Sequence, residues 1–449
     1  MINGISRWAL CAGMIMSASF MSACGTNGGT SATDPSKSTA TAQKKKTTTS
    51  PPTSTTTSTT TTTTTASSTD NPMTGQSPGV GAPDIATADH NVLNDLQPSW
   101  GSGAIPSSNA PDVVGAFRFI CRHTNLAADD PTVYPGQPGA SHLHDQTGVN
   151  GWNAYSNYGN LRTGGGGSGC NDVAGADHNS SEATWAANRT PYWQPALLDG
   201  KGNVIVADFT GFYYKRRPLT DPVVSDPTNP KYQGKAVPLP NGIKFIFGAF
   251  PENSSAAPVP GIAYVCTNGA AGGTYTSDGT FAGVIACAKA HSDGSLEVRM
   301  TAPDCWDGVN LDTPDHRSHL AYGSYGNWGY YKCDAQHPYV IPAFTYAAVY
   351  TILPTDTGDI HWASDEMDNT KPRGWSFHVD YGPMSWDPQV HAMWENGCLD
   401  QLLSCSGGDL GNGKQLKGAS EPIYLINGVW TPAWRNPQRL VPVPPLATM

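Results

Sequence analysis

The sequence predicts a mainly β fold: a β-sandwich or jelly-roll-like core with long disulfide-stapled loops and one or two helices. Three observations carry this. Short runs of β-branched and aromatic residues recur, each bounded by Gly, Pro, Asn or Asp. Gly and Pro are abundant, at 49 and 37 residues, while charged residues make up only 14% of the chain; that suits a loop-rich secreted fold better than a helical cytosolic one. Eight cysteines remain once Cys11 and Cys24 near the N-terminus are set aside. An even number outside the cytosol points to four disulfides.

The chain divides into three parts. Residues 1–23 read as a signal peptide: Arg7 is the lone charge before an apolar stretch, Trp8 to Phe20, and small Ser22 and Ala23 precede Cys24. A membrane span needs roughly 20 apolar residues, so this run is too short to be one. Met21-Ser22-Ala23-Cys24 resembles the bacterial lipobox, with Met where Leu is usual. That resemblance implies acylation of Cys24 and anchoring on the outer face of the cell membrane; the alternative is ordinary secretion after cleavage nearby. Residues 24–84 are rich in Thr, Ser, Gly and Pro and hold almost nothing large and apolar. They cannot offset the entropy of folding and are expected to form a disordered tether. Residues 85–449 form the globular part, long enough to bury a substantial core. It holds 21 of the 26 basic and 33 of the 36 acidic residues, a difference of −12, which argues against nucleic acid as a partner.

Within the globular part the expected strands are Val113 to Ile120, Asn203 to Phe209, Gly242 to Phe250, Ile262 to Cys266, Ser295 to Met300, Pro342 to Ile352 and Trp375 to Tyr381. Only Asp387 to Leu403 looks clearly helical, and Gly397 weakens it. The disulfide candidates are Cys121, Cys170, Cys266, Cys287, Cys305, Cys333, Cys398 and Cys405. Sequential pairing is the simplest arrangement, because each bond would then staple one short loop. No CxxC pair suggests structural zinc.

Two histidine elements carry the candidate chemistry. Ser141-His142-Leu143-His144 is an H-x-H element; on a strand, i and i+2 share a face, so His142 and His144 can converge on one ion. The second element runs from Asp304 to His319 and concentrates Asp304, Asp307, Asp315, His316 and His319. Turn signals at Asp307-Gly308 and Thr313-Pro314-Asp315 make it a loop, tied down by Cys305. The bland alternative is that its aspartates cap turns and its histidines bond backbone carbonyls.

The segment Pro303-Asp304-Cys305-Trp306-Asp307-Gly308, with Pro314-Asp315-His316-Arg317-Ser318-His319, resembles the core motif of the DUF1996 family, an extracellular family of unassigned biochemical role in fungi and bacteria. Ser141 to His144, Tyr192-Trp193, His337-Pro338 and His378-Val379-Asp380 are similar to further elements of it, with Val379 where Gly is usual. The resemblance covers about residues 112–405 and implies that the scattered His and Asp elements belong to one domain.

If they converge, His142, His144, His316 and His319 are candidate ligands, with His378 or Asp380 completing or orienting them. Imidazole and carboxylate suit Zn²⁺, Cu²⁺ or Mn²⁺ rather than Ca²⁺. Without a metal, Asp304, Asp307 and Asp315 are the candidate catalytic carboxylates for glycoside hydrolysis. Tyr192, Trp193, Trp306 and Trp375 are the candidate sugar-stacking residues. No GxSxG, HExxH or P-loop is present. Two classes remain: an enzyme acting on an extracellular or cell-wall glycan, and a non-catalytic glycan- or wall-binding surface lipoprotein.

Overall fold

The computed structural model describes residues 77–86, 91–98, 113–164, 167–170, 186–253, 261–268, 273–326, 329–406, 408–416 and 439–445, all within the unit Ala66–Met449. The signal peptide, Cys24 and most of the expected tether lie outside the described residues.

Alternation with period two builds the larger sheet. In the strand Phe209–Arg216, Phe212, Tyr214 and Arg216 are buried, whereas Gly211, Tyr213 and Lys215 are only partly so. In Ala343–Thr351, Phe344, Tyr346, Ala348 and Tyr350 are buried in the same alternation. The sheet has six strands in the order Ala263–Thr267, Ser295–Thr301, Ala343–Thr351, Phe209–Arg216, Gly115–Cys121 and Ser404–Ser406. Neighbours are antiparallel except the last pair. On its outer face Lys215 Nζ sits 4.1 Å from the ring centre of half-buried Tyr213, a cation–π contact.

The second sheet has five antiparallel strands: Phe245–Gly248, His378–Tyr381, Pro191–Pro195, His144–Gly148 and Asn125–Ala127. Its inner face packs on the first sheet through rings: Tyr192 with Phe212 at 4.1 Å, Phe247 with Phe344 at 5.2 Å and Phe344 with Tyr381 at 5.2 Å. Each such pair adds roughly 0.5–1.5 kcal/mol beyond burial of its area. The fold is therefore mainly β with a sandwich core, as the strand-rich sequence predicts.

Several elements depart from expectation. The strand expected over Asn203 to Phe209 splits: Asn203–Ile205 joins a separate small sheet, and a new strand starts at Phe209. Asp208 stands at the break and accepts the Thr351 hydroxyl at 2.6 Å. The expected helix is shorter: Asp387 caps Pro388–Trp394 through the amides of Gln389 and Val390, and a wider turn, Glu395–Leu399, follows. A Cβ at Gly397 would collide with the Leu410 carbonyl, which is why glycine stands there. A helix not expected from the sequence, Phe281–Lys289, is capped by Thr280.

The cysteines pair sequentially: Cys121–Cys170, Cys266–Cys287, Cys305–Cys333 and Cys398–Cys405. Four disulfides place the domain in an oxidising, extracytoplasmic setting. The tether boundary needs correction. Residues 77–84, assigned to the tether, are packed: Gly79 N donates to Gly308 O at 2.7 Å, Ala82 N donates to Asn241 O at 2.8 Å, and Ala82 is buried in the core. Backbone bonding, which composition does not report, extends the folded part N-terminal to residue 85.

Candidate metal centre

The strands His144–Gly148 and His378–Tyr381 flank Pro191–Pro195 in the five-stranded sheet. His144 is paired with Pro195, and Asp380 with Trp193. This register brings His144 and His378 to the same end of the sheet. Val379, Tyr381 and Tyr192 turn inward to the sandwich core, so His378, Asp380 and Trp193, one residue out of phase, take the outer face. His142, just before the His144 strand, joins them. The three histidines each offer a ring nitrogen within 4.8 Å of the others.

Their tautomers are set by neighbours. His144 Nδ1 donates to the Asp129 carbonyl at 3.2 Å, and His378 Nδ1 donates to the Ser376 carbonyl at 2.8 Å. Each therefore keeps Nε2 as a lone pair. A carbonyl-held Nδ1–H is what orients metal-ligating imidazoles. Nε2 of His142 and of His144 is buried with no hydrogen-bond partner. Burial pushes His142 down to about 4, and burial with the neighbouring histidines holds His144 and His378 well below the ordinary value. The ligand-competent neutral form is thus maintained.

Asp380 Oδ2 lies 3.5 Å from His378 Nε2. Both of its carboxylate oxygens are buried without a hydrogen bond. Burial, with Asp130 nearby, drives its pKa well up, and Arg317 pulls the other way. An unpaired buried carboxylate is costly, and a divalent cation on the adjoining imidazoles would relieve that cost. The donor set fits a borderline transition metal.

Two aspartates, half-buried Asp129 and buried Asp365, hold the orienting carbonyls. Asp129 accepts from Gly139 N and Ala154 N, which fixes the loop that presents its carbonyl to His144. Asp365 accepts from Ser376 N at 3.2 Å and from the Ser376 hydroxyl at 2.6 Å, and also from Trp362 N and Gly374 N. Neither residue was singled out from sequence; an Asp in a loop carries no pattern that distinguishes this role from an ordinary turn.

The second histidine element reaches the centre differently from the expectation. His316 and His319 do not join the three-histidine group. His316, at a left-handed φ of 54°, donates from Nδ1 to Asp312 at 2.7 Å. His319 is fully buried; its Nε2 donates to the Lys244 carbonyl at 3.0 Å and its Nδ1 lies 2.9 Å from the Thr313 hydroxyl. With both nitrogens engaged, it has no lone pair for a metal. Arg317 is the residue of this element that approaches: it donates to Gly248 O and Ala249 O at 3.2 and 2.7 Å, and Gly248 pairs with His378.

The three aspartates of the loop are each held by different partners. Asp307 caps a turn through Val309 N and Asn310 N. Burial works to raise Asp315, but bonds from Ser318, Thr313 and Arg317 overcome it and hold the carboxyl far below the usual range. Both are turn-capping groups. Asp304 differs: burial pushes it to about 6 while the Tyr331 hydroxyl bonds it. Of the aromatics, Tyr192 and Trp306 are fully buried, Tyr192 in the sandwich core, and have no free face for a sugar; Trp193 is fully buried beside the histidines, and Trp375 is half-buried.

A family model described as a domain of unknown function (DUF1996) matches residues 130–386, more than half of the chain. The chain is a member of the DUF1996 family. The matched span contains His142, His144, His378, Asp380 and Asp365, and begins one residue after Asp129. No curated protein and no solved structure matches the chain.

Proposed function

We propose that this DUF1996 protein is an extracytoplasmic metalloenzyme acting on an extracellular or cell-wall glycan. In this reading His142, His144 and His378 hold a divalent Zn, Cu or Mn ion, and Asp380 stands beside it. The observation that carries it is the set of three neutral imidazoles, two with Nδ1 held by a carbonyl, each offering a ring nitrogen within 4.8 Å of the others. Three protein ligands leave an open position, the pattern of catalytic rather than structural sites. The metal would serve as a Lewis acid or lower the pKa of a bound water. The glycan part of the reading is supported by exposed Tyr322 and Tyr325 on the loop near Arg317; flat exposed rings suit sugar faces. An acylated Cys24 would present the domain at the cell surface; Cys24→Ala should shift the protein from the membrane fraction to the medium.

The test is metal analysis of the purified domain, followed by reconstitution of the stripped protein with Zn²⁺, Cu²⁺ and Mn²⁺. Near-stoichiometric metal, lost in His144→Ala, is expected. A protein that takes up none of these ions would refute the reading. The near-complete burial of His144 and His378 favours a second reading, a structural metal in a non-catalytic glycan- or wall-binding lipoprotein. It predicts that stripping the metal lowers Tm sharply and that no glycan is turned over.

A further inference from the structure

The face that carries the histidines carries a second group of unsatisfied polar atoms. One step along the sheet, Asp380, Trp193 and Gln146 stand side by side: Asp380 pairs with Trp193, and Gln146 with Trp193. Directly paired residues on one face have Cβ atoms about 5 Å apart. Trp152 packs on Trp193 with ring centres 4.7 Å apart. The Trp193 Nε1–H, the Trp152 Nε1–H and the Gln146 Nε2 amide are all buried without an acceptor. Gln146 Oε1 accepts from Asn125 at 3.3 Å, which turns its NH₂ the other way. Trp193 lies against the centre itself, 6.4 Å ring to ring from His144.

Buried donors left unpaired are rare, and several together mark a missing occupant. The occupant's chemistry follows from what is absent. These three groups donate only, so it must offer oxygen acceptors. Gln146, Trp152 and Trp193 are 1%, 4% and 0% exposed, so it must be small, and a whole sugar ring would not fit beneath them.

We propose that Gln146, Trp152 and Trp193 form a subsite for a carboxylate or acyl carbonyl group, held next to the metal on His142, His144 and His378. This rests on the metal reading above and names its substrate class: a small carboxylate, or the acyl substituent of a glycan. The donors would hold the carbonyl oxygens, beside the histidines that would hold the metal.

The test uses the mature protein loaded with Co²⁺, whose visible bands report ligands at the metal. Acetate is titrated into wild type, Gln146→Leu and Trp193→Phe, with circular dichroism confirming each fold. Acetate should perturb the bands, and each variant should weaken apparent acetate affinity by about tenfold, the effect of one lost hydrogen bond to a charged group. Co²⁺ bound with no acetate response, or equal acetate affinity in wild type and Gln146→Leu, overturns the subsite while the metal reading stands. Failure to bind Co²⁺ at all takes down both. A second arm compares an N-acetylated chito-oligosaccharide with its deacetylated counterpart. Competition with acetate by the acetylated form alone assigns the subsite to a glycan acyl group. Competition by neither assigns it to a small free carboxylate.

Discussion

His144 and His378 stand on the two strands that flank Pro191–Pro195, and each donates Nδ1–H to a backbone carbonyl, of Asp129 and of Ser376. Their Nε2 lone pairs are therefore fixed by the backbone before any ligand arrives. Such preorganisation lowers the entropic cost of binding and makes the behaviour of individual variants predictable.

The ligand set should be discriminating. His142→Ala, His144→Ala and His378→Ala are each expected to abolish stoichiometric metal binding, while His316→Ala and His319→Ala retain it. Elemental analysis after dialysis against a weak chelator checks this. Metal loss in His316→Ala as complete as in His144→Ala would show that the two elements act as one site.

Asp365 touches no metal in this scheme, yet it holds Ser376 through its amide and its hydroxyl. Asp365→Asn is expected to weaken metal affinity by about 10–100-fold, as loss of an orienting partner does, with all three histidines intact. A competition titration with a chromophoric chelator measures it; unchanged affinity would show that the Ser376 carbonyl needs no such support.

His319 makes stability depend on pH. Burial pushes its pKa down to about 4 in the fold, from the ordinary 6.5. Between those values the unfolded chain binds a proton that the folded chain refuses. The contribution is therefore fully present above about pH 6.5 and is lost as pH falls towards 4, by up to on the order of 3 kcal/mol. Urea unfolding at pH 7 and pH 4.5 should show a larger loss in wild type than in His319→Gln, whose amide still donates to Lys244 O. Equal losses would show that His319 does not titrate in this window.

Arg216 links the large sheet to the C-terminal helical turn. Its guanidinium donates to Glu395 at 2.6 Å and to Asp400 at 3.1 Å. Glu395 is buried, and despite that burial Arg216 holds its carboxyl low. Arg216→Met should cost about 3–5 kcal/mol, because it strands a buried charge. Glu395→Gln in the same background should recover part of the loss, as measured by denaturant midpoint.

The four disulfides predict a domain with no reactive thiol among residues 121–405. Its unreduced mass should be eight protons lighter than the reduced mass, and native protein should not react with a thiol reagent. Labelling of any of these eight cysteines would contradict the pairing.

The sequence by itself determined the β class, because runs such as Ala343 to Thr351 alternate buried and half-buried side chains, and that period is local. Its even count of eight cysteines pointed to four disulfides, with sequential pairing the simplest arrangement, but the connectivity itself was decided by the fold. The sequence also pointed to His142 and His144 as an i, i+2 pair, with His316 and His319 as expected co-ligands and His378 to complete or orient them; of these the fold gathers His142, His144 and His378. Tertiary structure decided which elements meet. The sheet order placed Pro191–Pro195 between the two histidine strands, and no local pattern records that a strand near residue 193 will separate residues 144 and 378. It also decided which polar side chains were already spent. His316, His319, Asp307 and Asp315 look as reactive in sequence as His144 does. His319 spends both ring nitrogens on Lys244 O and Thr313, Asp307 and Asp315 accept from nearby backbone amides, and the fold carries His316 onto Asp312 and not into the three-histidine group. Whether a side chain keeps a free lone pair depends on partners brought up by the folded backbone, and sequence spacing carries no record of them.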